Sequence, residues 1–198
     1  MRFFIIATAL GLIIFCVTPA EASLAYYNQD LGYTIWLPKS WAEASDSYLD
    51  WAEQSRKPVP VQGDSSNWKA GYCNPTDGYT RSLLVEVKPG RRMHAADISN
   101  FNRFIVKTMS RMSSQDMGKF GSSRVVLKDA AYFKDKKILR LRAEMTNGEQ
   151  TVLSLTYVVY TRTGMLTFVG YVDPADDQAR QIIDTAVFSL YLDDNMRY

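Results

Sequence analysis

The chain has 198 residues, with 23 Lys and Arg against 21 Asp and Glu, a formal charge of +2. So even a balance, with no dense basic stripe, argues against nucleic acid as a partner. Of the two cysteines, Cys16 lies in an apolar N-terminal run, and the one histidine with Cys73 cannot build a zinc site alone.

Arg2, the apolar run over residues 3–17 and the small-x-small site Ala20-Glu21-Ala22 read as a cleavable export leader, residues 1–22. The run falls short of the roughly 20 apolar residues that a bilayer span needs. No later segment is apolar enough to span, so residues 23–198 are expected as one periplasmic or secreted domain with no membrane span. Cleavage would remove Cys16 and leave Cys73 without an intramolecular partner. Burial as a small hydrophobe is the simplest fate for such a thiol.

Tyr26 to Gly32 predicts a short strand and a turn, with Gly32 in the left-handed region. Residues 33–37 alternate and are β-branched or aromatic, a strand that Pro38 ends. Residues 42–80 are read as an irregular, aromatic-rich segment: a helical turn within 41–54, a loop over 57–67, and strong turn chemistry at Asn74-Pro75-Thr76-Asp77-Gly78. A long loop in a compact domain tends to carry function.

Residues 81–88 form a strand closed by Pro89-Gly90. Asp97 can cap a helix reaching Met112, with Ile98, Phe101, Ile105, Met109 and Met112 close to helical period. Four strands follow over 124–133, 137–145, 151–161 and 165–172. The last helix is expected to have Asp173 as its cap, Pro174 at the first helical position, and a stripe of Ala179, Ile182, Ile183, Ala186, Val187 and Leu190.

A register can be argued for the hairpin around Asn147-Gly148. A three-residue loop, with Gly148 left-handed, pairs Leu141 with Leu153 and Leu139 with Leu155 and so buries two apolar rows together. The opposite face then presents Arg140, Arg142 and Glu144 beside Ser154 and Thr156, as a polar face that is solvated or used for binding.

No catalytic constellation is found. His94 lies beside the expected helix start, no nucleophile elbow surrounds any serine, and no phosphate-cradling loop or calcium ladder is present. Neither a cofactor nor a metal is expected. The residues singled out for binding are Trp41, Trp51, Trp68 and Tyr72 in the irregular segment, since Trp and Tyr dominate recognition surfaces, together with Arg140 and Arg142.

The stretch Gly32-Tyr33-Thr34-Ile35-Trp36-Leu37-Pro38-Lys39-Ser40-Trp41 resembles the opening of PsbP-like domains, where a pattern G-y-x-[iv]-x-x-P-x-x-W forms the first strand and its exit. Element order resembles that family through most of the chain, with residue matches at 31–41 and, more loosely, 165–190. The resemblance implies an α+β fold, an antiparallel β-sheet flanked by helices in an α/β/α sandwich. It also implies a non-enzymatic accessory role, with no catalytic residue to carry over. The expected function is an exported domain that binds or scaffolds a protein partner in the bacterial cell envelope. A small-molecule or lipid carrier with a pocket between sheet and helices is one alternative, and a Cys73-dependent enzyme is another.

Overall fold

The computed structural model describes residues 23–56, 68–77, 81–112, 116–120 and 123–198. The expected leader and the expected loop over 57–67 lie outside the described residues. In chain order the elements are β1 (Ser23–Asn28), β2 (Tyr33–Pro38), β3 (Ala42–Glu43), α1 (Asp46–Arg56), β4 (Trp68–Cys73), a 3-10 turn (Pro75–Asp77), β5 (Ser82–Pro89) and α2 (Ala95–Met112). There follow β6 (Asp116–Phe120), β7 (Ser123–Phe133), β8 (Ile138–Asn147), β9 (Gln150–Thr161), β10 (Gly164–Val172), α3 (Asp177–Phe188) and β11 (Tyr191–Leu192).

Eight strands make one sheet in the order β3-β4-β5-β10-β9-β8-β7-β6, and a second sheet runs β1-β2-β11. Neighbouring strands are antiparallel throughout. Helix α3 and the small sheet cover one face of the large sheet. There Tyr33, Ile35 and Leu37 of β2 meet Leu155, Tyr157, Phe168, Ile183 and Val187. Helix α1 covers the other face around Leu84, Val169 and Tyr171, and α2 covers it around Leu139 and Tyr160.

The hairpin register differs from the expectation. Asn147 pairs with Gln150, and the turn is the two residues Gly148-Glu149. Gly148 has φ +61, which matches the positive first central position of a type II′ hairpin. Leu141 therefore faces Thr156, while Arg142 pairs with Leu155 and Arg140 with Tyr157. The expected polar face does not form. Its premise was a sheet with one dry side. Helices lie on both sides here, so both apolar rows find cover and no face has to be polar.

Helix ends also shift. The cap of α3 is Asp176, whose carboxylate accepts from the Ala179 N–H at 2.9 Å. Asp173 instead accepts from the Ala175 N–H at 2.8 Å in the turn before the helix, the turn that holds Pro174. Helix α2 starts at Ala95, which puts Asp97 in its first turn. The segment expected to be irregular contributes β3, α1 and β4. Cap and burial differ in weight. A cap contributes about 1 kcal/mol, whereas Ile183 and Val187, fully buried, contribute roughly 1.5–3 kcal/mol each. Packing holds α3 in place.

That packing needs Gly170. A Cβ there would lie 2.8 Å from Ile183 Cδ1 and 3.1 Å from its Cγ2, so the helix side chain rests directly on the strand backbone. Gly170→Val is expected to cost about 1–3 kcal/mol through overpacking, read as a lower urea midpoint with an unchanged slope. An unchanged midpoint would show that α3 can move outward freely.

Candidate functional site

Arg140 and Arg142 point into the face beneath α3. Arg142 Nη2 donates to Asp184 Oδ2 at 2.7 Å and Arg140 Nη1 donates to Asp184 Oδ1 at 3.2 Å. The Tyr157 hydroxyl donates to the same Oδ1 at 2.6 Å. Asp129 closes the group from β7, with Oδ2 3.4 Å from Arg142 Nη1. It arrives there because β7 shifts register between Leu127 and Asp129. Such a bulge re-aims the following side chain, turning Asp129 toward Arg142 after Leu127 has faced the other side. Two cations meet two carboxylates, so the charge is balanced inside the protein. The cluster ties the edge of α3 to β7, β8 and β9. Asp184→Ala leaves both guanidinium groups facing Asp129 alone. The expected loss is about 1.5–3 kcal/mol by urea denaturation, below the full cost of a broken buried pair because these side chains remain about one-fifth exposed. A loss under about 0.5 kcal/mol, the ordinary range for a surface change, would deny the cluster this role.

The four aromatic residues singled out from sequence lie in two places. Trp41 and Tyr72 are in the core, with Tyr72 Oη 2.9 Å from Tyr33 Oη and the Tyr26 hydroxyl donating to the Trp41 carbonyl at 2.7 Å. Trp68 is half-buried against the α1 cluster, and its indole nitrogen is buried with no hydrogen-bond partner. Trp51 is exposed, its ring 5.4 Å from Tyr48. No common surface joins them.

Burial is the largest cause raising the pKa of Tyr33, Tyr72, Tyr157 and Tyr160 above the ordinary value of 10.0. Unfolding returns them to that value. A group whose folded pKa is raised stabilises fully below its unfolded pKa, so this contribution is lost as pH rises above about 10. Absorbance of tyrosinate at alkaline pH is expected to show these tyrosines ionising only together with loss of the far-ultraviolet circular dichroism. Titration of all 12 tyrosines in a still-folded chain would contradict it.

A different set of rings does share a surface. In the small sheet Tyr27 pairs with Thr34, Thr34 with Tyr191, and Ala25 with Trp36. Alternation puts all five on the outward face, while Tyr33, Ile35 and Leu37 point to the core. Tyr27, Trp36 and Tyr191 are 59%, 37% and 49% exposed, far more than rings used for packing. Two strand spacings separate Tyr27 from Tyr191, about 10 Å. Charged groups rim the face. The Tyr27 hydroxyl donates to Asp193 Oδ2 at 3.0 Å, the Arg197 guanidinium lies 5.1 Å from the Tyr191 ring centre, and Arg197 is paired with Asp194. The sequence held one signal for this face: with residues 33, 35 and 37 inward, Trp36 must point out.

The remaining candidates separate in space. Cys73 is 2% exposed on β4. His94 is exposed just before α2, a helix that packs on β7 five strand positions from β4. The two do not form a pair. Between α2 and the sheet lies an apolar cavity of about 230 Å³, lined by Met109, Val125, Leu127, Leu141 and Ala143 with Ser154 and Thr156. No helix among the described residues is long and apolar enough to cross a membrane.

These elements define an α+β sandwich with one large antiparallel sheet, helices on both sides and an aromatic small sheet laid over one of them. The fold is PsbP-like. The solution structure of cyanobacterial PsbP (CyanoP) from Synechocystis sp. PCC 6803 matches with a TM-score of 0.54 over 89% of this chain and 95% of that one, at 15% identity. That identity establishes the fold alone. No protein-family profile matches the chain, and no curated protein matches it.

Proposed function

We propose that this protein is a non-catalytic accessory domain, exported through the leader at residues 1–22, that docks onto a protein partner in the bacterial cell envelope by the outward face of its small sheet. The observation that carries the reading is the exposed set Tyr27, Trp36 and Tyr191. Aromatic rings with an arginine at the margin are the composition enriched at protein interfaces, and solvent exposure of three such rings on one face is unfavourable until a partner covers them. The carrier reading draws on the cavity beside Met109. At about 230 Å³ this apolar cavity is smaller than the roughly 300–1,000 Å³ of ligand pockets, which counts against an apolar cargo such as a lipid chain held between helix and sheet. The buried thiol of Cys73 likewise gives little support to a nucleophile, which has to be reached by its substrate.

A photo-crosslinker placed at position 36 or 191 tests the reading in cells. The expected result is a discrete adduct with one envelope protein, absent when the crosslinker replaces Trp51, which is also exposed but lies on α1. Trp36→Ala is expected to weaken the complex by about 2 kcal/mol, roughly thirtyfold. Equal adducts from both placements, an adduct containing only two copies of this chain, or a Trp36→Ala variant with unchanged affinity would each overturn it.

A further inference from the structure

The first half of α2 and the turn joining β7 to β8 border an open cleft of about 520 Å³. Ser99, Asn100 and Arg103 line it from the helix, and Lys134, Asp135 and Lys137 from the turn. It holds three cations and one carboxylate. Arg103 and Lys134 have no ion-pair partner among the described residues. Lys137 is held in place by its backbone, left-handed at φ 53, and by the Tyr198 ring, whose centre is 5.2 Å from its ammonium. The Arg92 guanidinium lies 5.5 Å from the same ring centre. The Tyr198 hydroxyl donates to the Met93 carbonyl at 2.9 Å and accepts from the Met93 N–H at 3.1 Å. A second cavity, of about 220 Å³, adjoins the first. It shares Asp135 and Lys137 and adds Lys136 and Arg197 to its lining.

We infer that this cleft binds the phosphoryl group of a small phosphate ester. Every charged or polar side chain named in its lining except Asp135 can donate: a guanidinium fork, two ammonium groups, a hydroxyl and an amide. Three cations outnumber the one carboxylate, Asp135, so like charges still repel one another there, and an anion between them relieves that repulsion. A phosphate monoester carries nearly two negative charges at neutral pH and three acceptor oxygens, a better match than a carboxylate to three cations. The arginine fork suits two of those oxygens at once. The cleft is several times the size of the group itself, leaving room for an organic body, with Asp135 to accept from its hydroxyls. Ala95 and Ala96, the first residues of α2, also line the cleft, so the positive end of the helix dipole adds to the field. The same monoester chemistry is offered by a soluble ester and by the terminal phosphate of phosphatidic acid in a lipid surface.

The purified full chain is titrated with glucose 6-phosphate, with glucose as the uncharged control, and separately with phosphatidylcholine vesicles that contain or lack phosphatidic acid. Saturable binding of glucose 6-phosphate but not glucose is expected, with amide shift changes confined to residues 95–103 and 134–137. The double variant Arg103→Ala with Lys134→Ala is expected to weaken it about tenfold or more, and Lys39→Ala, exposed in the turn after β2 and outside the lining of the cleft, to leave it unchanged. Saturation only by the vesicles that contain phosphatidic acid, abolished by the same double variant, assigns the phosphoryl group to a lipid and still supports the site. No saturation by either probe, shift changes elsewhere, or equal losses in the double and Lys39→Ala variants would overturn it.

Discussion

The large sheet is buried on both faces, and that single requirement fixes most of what surrounds it. Its central strands carry apolar rows on either side: Leu155 and Tyr157 toward α3, Leu139 and Tyr160 toward α2. Each row needs its own cover, since an uncovered side chain forfeits roughly 1.5–3 kcal/mol. Helix α3 covers one side so closely that a Cβ at position 170 would require Ile183 to shift. Helices α1 and α2 divide the other side between them. The remainder of the first side is covered by β2, and β2 can do this only by turning Tyr33, Ile35 and Leu37 inward, which leaves its alternate residues, Trp36 among them, in solvent. The exposed aromatic face is therefore the far side of a covering layer.

The arginines beneath α3 follow from the same requirement. Placing Arg140 and Arg142 on a face that a helix must cover would strand two charges in a poorly solvated layer. Asp184 comes from the covering helix, Asp129 from a bulge in the neighbouring strand, and Tyr157 from the strand on the other side. Removing any one of these partners acts on the charges left behind more than on the bond lost. The cluster thereby also specifies position, because only one placement of α3 brings Asp184 to both guanidinium groups.

Much of the architecture was legible in the chain. Residues 33–37, 151–161 and 165–172 read as strands because alternation, β-branched residues and flanking breakers agree there, and α3 because its apolar stripe repeats at helical spacing. Strand β4 was not legible. Trp68-Lys69-Ala70-Gly71-Tyr72-Cys73 has no β-branched residue, and Gly71 is there because a Cβ would come within 2.8 Å of Leu49 and 3.1 Å of Ala44. That contact belongs to the tertiary structure and leaves no local pattern. Strands β3 and β11 are two residues each and exist only through their partners. The register of the β8–β9 hairpin is not legible from periodicity, because both faces of the sheet are covered and either pairing of the apolar rows finds a buried place. The site was divided in the same way. Trp36 could be placed outward from its own strand, but Tyr191 lies more than 150 residues away and joins it only because β11 pairs with β2.

The near-neutral composition concealed a further arrangement. Arg92, Arg103, the turn from Lys134 to Lys137, and Arg197 are scattered along the sequence, and no run of them forms a basic stripe. Folding gathers them because the end of β7, the start of α2 and the residues after β11 meet at one end of the sheet. The meeting is held by Tyr198, set between Arg92 and Lys137, and by Lys136, whose ammonium donates to the Phe188 carbonyl at 2.7 Å. Residues 191–198 thus belong to both surfaces: Tyr191 stands in the aromatic face, and Arg197 and Tyr198 line the cavity beside the cleft. The aromatic face and the cavity beside the cleft therefore rest on the same short segment, placed by the pairing of β11 with β2 at one end and by the Tyr198 contacts at the other.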